Sequence, residues 1–286
     1  MTTAHETPLS LPRSRATVAS RAWRFVRRHS LTAYAIIAFA YFLLPIAVVA
    51  LFSFNNPKGR FNYVWQGFTW DNWRYWDGVP GLTDAIYRSL EIAAIASVGA
   101  TALGTLIALA LVGHNFRGRA TTNILIFLPM STPEVVLGAS LLTLFLNLSS
   151  VVTLGFWTIV LAHIMFCISY VVVTVKARLI GFDRHLGEAA MDLGANELVT
   201  FLRVTLPLLG PAILAALLLS FALSVDDFVI TNFNAGATVT FPLFVWGAAR
   251  VGAPAQVNVI GTAIFVIAVG VMLANVLWGL RREKQA

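Results

Sequence analysis

Long apolar blocks alternate with short polar segments along this chain. Because about 20 mainly apolar residues cross roughly 30 Å of hydrocarbon as a helix, six of the blocks qualify as membrane spans. They are residues 31–54, 84–112, 122–146, 151–175, 208–231 and 257–280. Only residues 147–150 separate the third block from the fourth, which predicts a tight hairpin there. The pattern predicts an all-α, polytopic membrane protein with six transmembrane helices.

The composition agrees with this interpretation and argues against a soluble enzyme. Hydrophobic residues make up 58% of the 286 residues and charged residues only 12%, whereas soluble domains carry about 25% charged residues. The single cysteine, Cys167, excludes an internal disulfide framework and a multi-cysteine metal site. The net charge of +7 does not indicate nucleic-acid binding, because the basic residues punctuate apolar blocks. We expect membrane lipid around the chain, no metal and no nucleic acid.

Lys and Arg predict the orientation, since cytoplasmic segments carry the excess of basic residues. With the N-terminus inside, 15 of the 20 basic residues fall in inside segments. Both termini are therefore expected in the cytoplasm, with residues 1–30 and 281–286 as tails and 31–280 as the transmembrane domain. The first block exceeds the apolar core of a signal peptide, about 7–15 residues, and is expected to be an uncleaved anchor.

Two further stretches indicate packing or anchoring. The outer loop, residues 55–83, is rich in aromatic side chains. An interfacial aromatic belt is the favoured interpretation and a docking surface for an external partner is the alternative, and the two are compatible. In the second block, small residues recur at a spacing of four and predict close helix packing. These small residues are Ala96, Ala100, Gly104 and Ala108.

The inner loop, residues 176–207, is longer than a connection between spans requires. Its first half carries one apolar face at helical spacing, formed by Leu186, Ala189, Ala190 and Leu193. The opposite face carries Arg184, His185, Glu188 and Asp192. Gly194 permits a turn, and a second short helix is predicted through Leu198, Phe201, Leu202 and Leu206. The pattern predicts a helix–turn–helix on the inner membrane face, with Pro207 and Pro211 bracketing the re-entry into the membrane.

The inner loop resembles the EAA loop of binding-protein-dependent ABC importer permeases, whose pattern is EAA, x3, G, x9, I-x-L-P. Here the pattern reads Glu188-Ala189-Ala190, Gly194 and Val204-Thr205-Leu206-Pro207, with Val204 in place of Ile. The resemblance extends from about residue 84 to residue 280, so this core and an added first span make up the expected domain. It implies the MetI-like fold of type I ABC importer permeases and a location in the bacterial cytoplasmic membrane.

The same resemblance implies partners and roles. A coupling helix would sit in a groove of an ABC ATPase dimer, through Glu188, Ala189, Ala190, Asp192, Gly194, Leu206 and Pro207. A second permease subunit, expected to be a different chain, and an extracytoplasmic solute-binding protein would complete the transporter. This chain itself lacks a P-loop, because Lys58, Lys176 and Lys284 follow Pro, Val and Glu in the sequence. It is therefore expected not to be an enzyme and to hold no cofactor, and the partner ATPase would use ATP and Mg.

Ionisable residues within spans are functional candidates by default. Asp226 and Asp227 fall roughly 30 Å along the fifth block, near its outer end, where they are either solvated or functional. Glu134 follows Pro129 and Pro133, which are predicted to kink the third span and to place Glu134 in a pathway near mid-membrane.

Two other ionisable residues have simpler explanations. Glu91 is expected to pair with Arg88 at i−3 and is a further candidate for the pathway. His163 is expected to be a hydrogen-bonded packing residue rather than a metal ligand, because no second His or Cys is suitably placed.

An acid-lined pathway suits a cation, and three segments resemble spermidine/putrescine permeases. Ser224-Val225-Asp226-Asp227-Phe228 is similar to their S-x-D-D-F/L stretch, and residues 129–138 (PMSTPEVVLG) to P-x-x-x-P-E-[IV]-V-x-G. Gly67-Phe68-Thr69 is similar to their outer loop. The resemblance implies a translocation pathway for polyamines, through Asp226, Asp227, Glu134 and Glu91.

Other functions remain open at this point. Relatives that import other small organic solutes or iron share much of the framework. An ion-coupled secondary transporter would explain the spans and the acids, but not the pattern from Glu188 to Pro207. A membrane-embedded enzyme is disfavoured because the sequence has no HExxH within a span, no GxSxG and no Cys/His cluster.

Overall fold

The computed structural model describes residues 18–59, 61–181, 183 and 185–283, and in this part of the chain the regular secondary structure is helical, with one isolated bridge between Asn55 and Phe68. Of the predicted tails 1–30 and 281–286, residues 1–17 and 284–286 lie outside the described residues, as does Arg184 of the inner loop. In chain order the helices are α1 (Val18–Phe52), α2 (Asp71–Arg74), α3 (Leu82–Gly113), α4 (Arg119–Ser131), α5 (Glu134–Asn147), α6 (Phe156–Ile180), α7 (His185–Asp192), α8 (Glu197–Thr200), α9 (Leu206–Asp226), α10 (Val229–Asn234), α11 (Phe241–Val251) and α12 (Ala255–Glu283).

Four of these helical segments are long and apolar enough to cross a membrane. They are His29–Phe52 within α1, α3, α6 and the continuous segment Glu197–Asp226. Helices α4 and α5 qualify as a fifth span only as a pair, because they meet at an angle of 108°. The sixth predicted block, 257–280, lies within α12; its described apolar part is Ala255–Gly270, and the side chains of residues 274–280 lie outside the described ones.

The core lies where α3, α6 and α9 pack together, and it explains the stripe of small residues. Ala96, Ala100 and Ala108 are completely buried. A Cβ atom built on Gly104 would lie 2.6 Å from the Val171 side chain of α6. The predicted close approach of another helix to this face is confirmed, and that helix is α6.

Two predicted connections differ from the observed ones. The link between α5 and α6 comprises residues 148–155, so it is longer than the tight hairpin predicted at 147–150. The predicted second short helix is not separate from the helix that follows it, because α8 continues into α9 without a break. A π-helical turn at Phe201–Thr205 joins them. This wider turn accommodates Pro207, which has no N–H and would crowd the carbonyl one α-helical turn earlier.

The outer loop folds into an ordered unit held by asparagine side chains. Asn55 Nδ2 donates to Asn62 Oδ1 over 2.6 Å, and Asn72 Nδ2 donates to the Asn55 carbonyl over 2.7 Å. The ring of Phe54 stacks on Phe68 and Trp73, with centroids 5.5 Å apart in both pairs. Part of the aromatic content therefore serves the loop's own packing, in addition to the two roles considered from the sequence.

Candidate functional site

Three of the four candidate acids line one cavity of about 380 Å³, here called the acidic cavity. Its walls come from the start of α5, from α6, and from the chain where α9 gives way to α10. The lining residues are Glu134, Phe166, Leu219, Ala222, Leu223, Asp226, Asp227, Phe228 and Val229. Glu134 is 92 positions from Asp226 in the sequence, so the fold brings together acids that the sequence separates.

A sharp break in the chain delivers Glu134 to the acidic cavity. Thr132 is extended (φ −82°, ψ 134°), as expected for a residue before proline, and α4 ends at Ser131. Glu134 is then the first residue of α5 and is exposed. An acidic residue is favourable at this position because the N-terminus of a helix carries partial positive charge. The predicted kink is confirmed, and the bend of 108° is large enough to divide the block into two helices.

Asp226 and Asp227 are neighbours in sequence but have opposite surroundings. Asp226 is the last residue of α9 and is exposed. Asp227 is extended (φ −66°, ψ 119°), so its side chain leaves the helix in another direction, and only 4% of that side chain is accessible. The end of α9 thus directs one carboxylate outward and the other into the protein.

The buried carboxylate of Asp227 belongs to a hydrogen-bonded cluster, the His163 node, formed by His163, Ser224, Asp227 and Thr231. The backbone N–H and the hydroxyl of Thr231 donate to Asp227 Oδ2 over 2.7 and 2.9 Å. His163 Nε2 lies 3.2 Å from the same oxygen, and His163 Nδ1 lies 2.6 Å from Ser224 Oγ. An ionised carboxylate can only accept, so Nε2 carries the proton in this arrangement. The prediction that His163 is a hydrogen-bonded packing residue is confirmed.

The remaining two acids of the cavity have no such partners. Among the described residues, no side chain forms a hydrogen bond or an ion pair with Glu134 or Asp226. Their carboxylates are available to a ligand, whereas Asp227 is already occupied by the His163 node. Glu91 is not among the lining residues, and its carboxylate pairs with Arg88 at 3.2 Å, as the i−3 spacing predicted.

Aromatic residues lie near these acids, and two of them, Phe166 and Trp246, were not singled out from the sequence. Phe166 and Phe228 line the acidic cavity. The ring of Phe228 also contacts Trp246 of α11, with centroids 5.1 Å apart, and the Arg250 guanidinium lies 4.7 Å from the Trp246 ring. The spacing of Trp246 and Arg250, four residues apart, was a detectable signal for the last contact. Phe166 had no signal, because nothing local distinguishes it from other apolar residues of its span.

The inner loop has the predicted helix, turn and helix. Helix α7 spans His185–Asp192, and Gly194 turns the chain with φ +90°, a backbone conformation that favours glycine. Asn196 then caps α8 by accepting a hydrogen bond from the Val199 N–H over 2.9 Å. Leu206 and Pro207 form the first turn of α9.

Several leucines of the inner loop are exposed among the residues that the structure describes. Helix α7 has no buried residue. Leu186 is 47% exposed, Leu193 is 90% exposed and Leu198 is 66% exposed. Glu188 and His185 are also exposed and contact each other at 3.1 Å. This end of the protein therefore presents leucines and charged groups together at its surface.

Comparison with known proteins agrees with this architecture. Residues 100–280 match the family described as binding-protein-dependent transport system inner membrane component. The spermidine/putrescine transport system permease protein PotC of Haemophilus influenzae is 36% identical over 246 residues, covering 86% of this chain and 94% of that protein. PotC of Escherichia coli is 38% identical over 247 residues, and the putrescine permease PotI of the same organism is 38% identical over 260 residues. These two matches cover 86% and 87% of this chain, and 91% and 90% of the relatives.

Solved structures of ABC transporters share the fold. A chain of a bacterial transporter that imports the acidic polysaccharide alginate superposes with a TM-score of 0.67, at 17% identity, covering 93% of this chain and 99% of that chain. A chain of the MetNI methionine transporter gives a TM-score of 0.56 at 15% identity, covering 70% and 95%. The long apolar helices, the family match and these superpositions agree. This chain belongs to the family of binding-protein-dependent transport system inner membrane components, the multi-pass permease subunits of ABC importers.

Proposed function

We propose that this chain forms part of the pathway through which a polyamine, such as spermidine or putrescine, enters the bacterial cell. The observation that carries the proposal is the acidic cavity, in which Glu134 and Asp226 are brought together without partners among the described residues. Relatives that are 36–38% identical are named as spermidine/putrescine and putrescine permeases.

The chemistry of the cavity suits a flexible organic cation. Ammonium groups donate charge-assisted hydrogen bonds to carboxylates, and such bonds are about twice as strong as neutral ones. Phe166 and Phe228 offer aromatic faces that attract the same charge and apolar surface for the methylene chain. Carboxylates within a membrane protein are expensive when unpaired, which favours a cationic ligand at Glu134 and Asp226 over an anionic or purely apolar one.

Asp227 has a different role in this proposal. Its carboxylate accepts from Thr231 and lies against His163, so it holds the start of α10 against α6. It shapes the cavity while Asp226 and Glu134 contact the solute. Glu91, which pairs with Arg88, lies outside this contact set.

The energy would come from a separate ABC ATPase dimer that uses ATP and Mg. The exposed surface of α7 and α8, with Glu188, Ala189, Ala190, Asp192 and Gly194, is the proposed contact with it. From Glu197 to Asp226 the chain is one helical segment of 30 residues, about 45 Å long. Leu206 and Pro207 lie within this segment. A displacement of the inner loop would therefore be transmitted along the helix and would move the carboxylate of Asp226 by a similar distance.

The remaining partners complete the transporter. The exposed carboxylates of Glu134 and Asp226 face away from this chain's own core, and a second permease, a different chain, would close the pathway over them. A solute-binding protein would deliver the polyamine from outside, with both termini of this chain in the cytoplasm. A fold relative, the alginate transporter, was solved in complex with a ligand-bound periplasmic protein (TM-score 0.64, 18% identity).

Uptake of radiolabelled spermidine tests the proposal, in cells that express the complete transporter as their sole polyamine importer. Asp226→Asn combined with Glu134→Gln should lower the uptake rate by at least tenfold, because two charge-assisted contacts are removed. Glu91→Gln is the matched control and should leave uptake within twofold. Deleting the ATPase subunit should abolish uptake. Unchanged uptake in the double variant would refute the cation site, and uptake without the ATPase would refute ATP coupling.

A further inference from the structure

The acidic cavity continues into an aromatic surface on α11. Phe228 lines the cavity and immediately follows the two aspartates. Its ring lies 5.1 Å from that of Trp246, at an interplanar angle of 46°. Trp246 itself is 49% exposed. Carboxylate, phenyl ring and indole thus follow one another along the surface of a single chain.

A cation of the protein already occupies this aromatic surface. The Arg250 guanidinium lies 4.7 Å from the centre of the Trp246 ring, within the range of about 6 Å over which cation–π attraction acts. In the part of the chain that the structure describes, no carboxylate lies within ion-pair distance of Arg250. Arg250 is exposed and lies over the Trp246 ring, and such an exposed contact is weak.

We propose that Trp246 and Phe228 form an ammonium-binding subsite next to the acidic cavity, and that Arg250 fills it when no solute is bound. Indole is the aromatic side chain that attracts cations best. A polyamine carries several ammonium groups on short alkyl chains, so one group can bind Asp226 and Glu134 while another replaces Arg250 on the indole. The displaced guanidinium is already exposed, so its release into water costs little free energy.

This inference rests on the proposed function and deepens it, because it adds a second subsite of another chemical kind. It makes two predictions of opposite sign. Removing the ring should weaken polyamine binding. Removing Arg250 should strengthen it, because the solute no longer competes with a tethered cation. If Arg250 only held the indole in place, its loss would weaken binding instead.

Equilibrium binding of radiolabelled spermidine to the purified complete transporter in lipid nanodiscs, without binding protein, separates these cases. Trp246→Leu should raise the Kd by roughly two- to fivefold, the value of an exposed cation–π contact, and Trp246→Phe by less. Arg250→Gln should lower the Kd by a similar factor. The matched control is Arg88→Gln: the Arg88 guanidinium lies 6.0 Å from the Phe156 ring and outside the acidic cavity, so its loss should leave the Kd unchanged.

The outcomes are distinguishable. A Kd that rises or stays the same in Arg250→Gln overturns the displacement, and an unchanged Kd in Trp246→Leu overturns the subsite. If Trp246→Leu fails to accumulate in the membrane, Trp246→Phe and the surface variant Arg250→Gln decide the question. Spermidine uptake by cells with the wild-type transporter shows in either case whether the proposed function stands. If the wild-type transporter neither takes up nor binds spermidine, both the function and the subsite are refuted.

Discussion

The two ends of the helical segment Glu197–Asp226 differ in which side chains are buried. At one end, Asp227 follows α9 directly, and its carboxylate is 4% accessible yet satisfied by His163 and Thr231. At the other end, Leu193 precedes α8 with 90% of its surface exposed, and Leu198 lies within α8 with 66% exposed. A carboxylate is buried at one end of the segment, and leucine side chains are exposed at the other.

The difference shows at which end of this helical segment the side chains find their partners within the chain. A buried carboxylate is costly unless hydrogen bonds replace its hydration, and the His163 node supplies them from within the same chain. Leu193 and Leu198 of the inner loop are largely exposed in the part of the chain that the structure describes, and exposed apolar side chains of this kind suit contact with a partner. The polar groups at the Asp227 end are therefore satisfied by contacts within the chain, and the Leu193 end is suited to contacts with another chain.

The largest expected effect on stability comes from breaking the His163 node. Asp227→Ala would leave the Thr231 N–H and hydroxyl buried without their acceptor and would take one of two partners from His163 Nε2. We expect this change to lower the free energy of unfolding by about 3 kcal/mol. Thermal unfolding of the purified chain in detergent measures the loss.

Asp226→Ala is the matched control for that measurement, because it removes the neighbouring carboxylate, which is exposed. Its effect on unfolding should stay within about 0.5 kcal/mol. Equal losses from the two variants would contradict the division of roles between the adjacent aspartates.

A smaller loss is expected from crowding the contact between α3 and α6. In Gly104→Val the new Cβ atom would lie 2.6 Å from Val171, and overpacking of this kind destabilises by about 1–3 kcal/mol. Gly113→Val is the control on the same helix, because nothing lies within 4 Å of a Cβ atom at that position. The same assay should show a clear loss of unfolding free energy for Gly104→Val and almost none for Gly113→Val. Similar losses for both variants would mean that the close contact between α3 and α6 does not determine the effect.

The smallest expected effect on stability comes from the inner loop, where function should suffer instead. Glu188→Lys and Leu193→Ser alter exposed side chains, so the free energy of unfolding of the isolated chain should change by less than about 0.5 kcal/mol. Both changes should abolish most solute uptake while the chain still accumulates in the membrane, because they alter the proposed contact with the ATPase. Uptake and solute-stimulated ATP hydrolysis are measured together in the complete transporter. Normal uptake by both variants would contradict the coupling role.

Features with a local cause could be predicted from the sequence. The stripe of Ala96, Ala100 and Ala108 indicated a close helix contact, because helical periodicity places these residues on one face. Gly194 indicated the turn in the inner loop, because a positive φ favours glycine. The helix break before Glu134 followed from Pro133, since the residue before a proline is driven out of the helical region. Its angle of 108° did not, because that depends on packing.

Pro207 is a position where a prediction from local sequence was wrong. Proline predicted a boundary, yet α8 continues through a π-helical turn into α9. The rule concerns an α-helical hydrogen bond at one position, and a wider turn removes the conflict without ending the helix.

The sequence by itself determined the class of the protein, its apolar spans and the pattern of its inner loop, because each of these depends on residues close together in the chain. Only the tertiary structure decided the fates of Asp226 and Asp227, which the sequence presents as equivalent neighbours. Asp227 is buried because His163, 64 residues away, supplies a hydrogen-bonding partner inside the bundle. Asp226 stays open beside Glu134 because a different helix brings that acid to it. Contacts of such long sequence separation arise from helix packing, which no local pattern encodes.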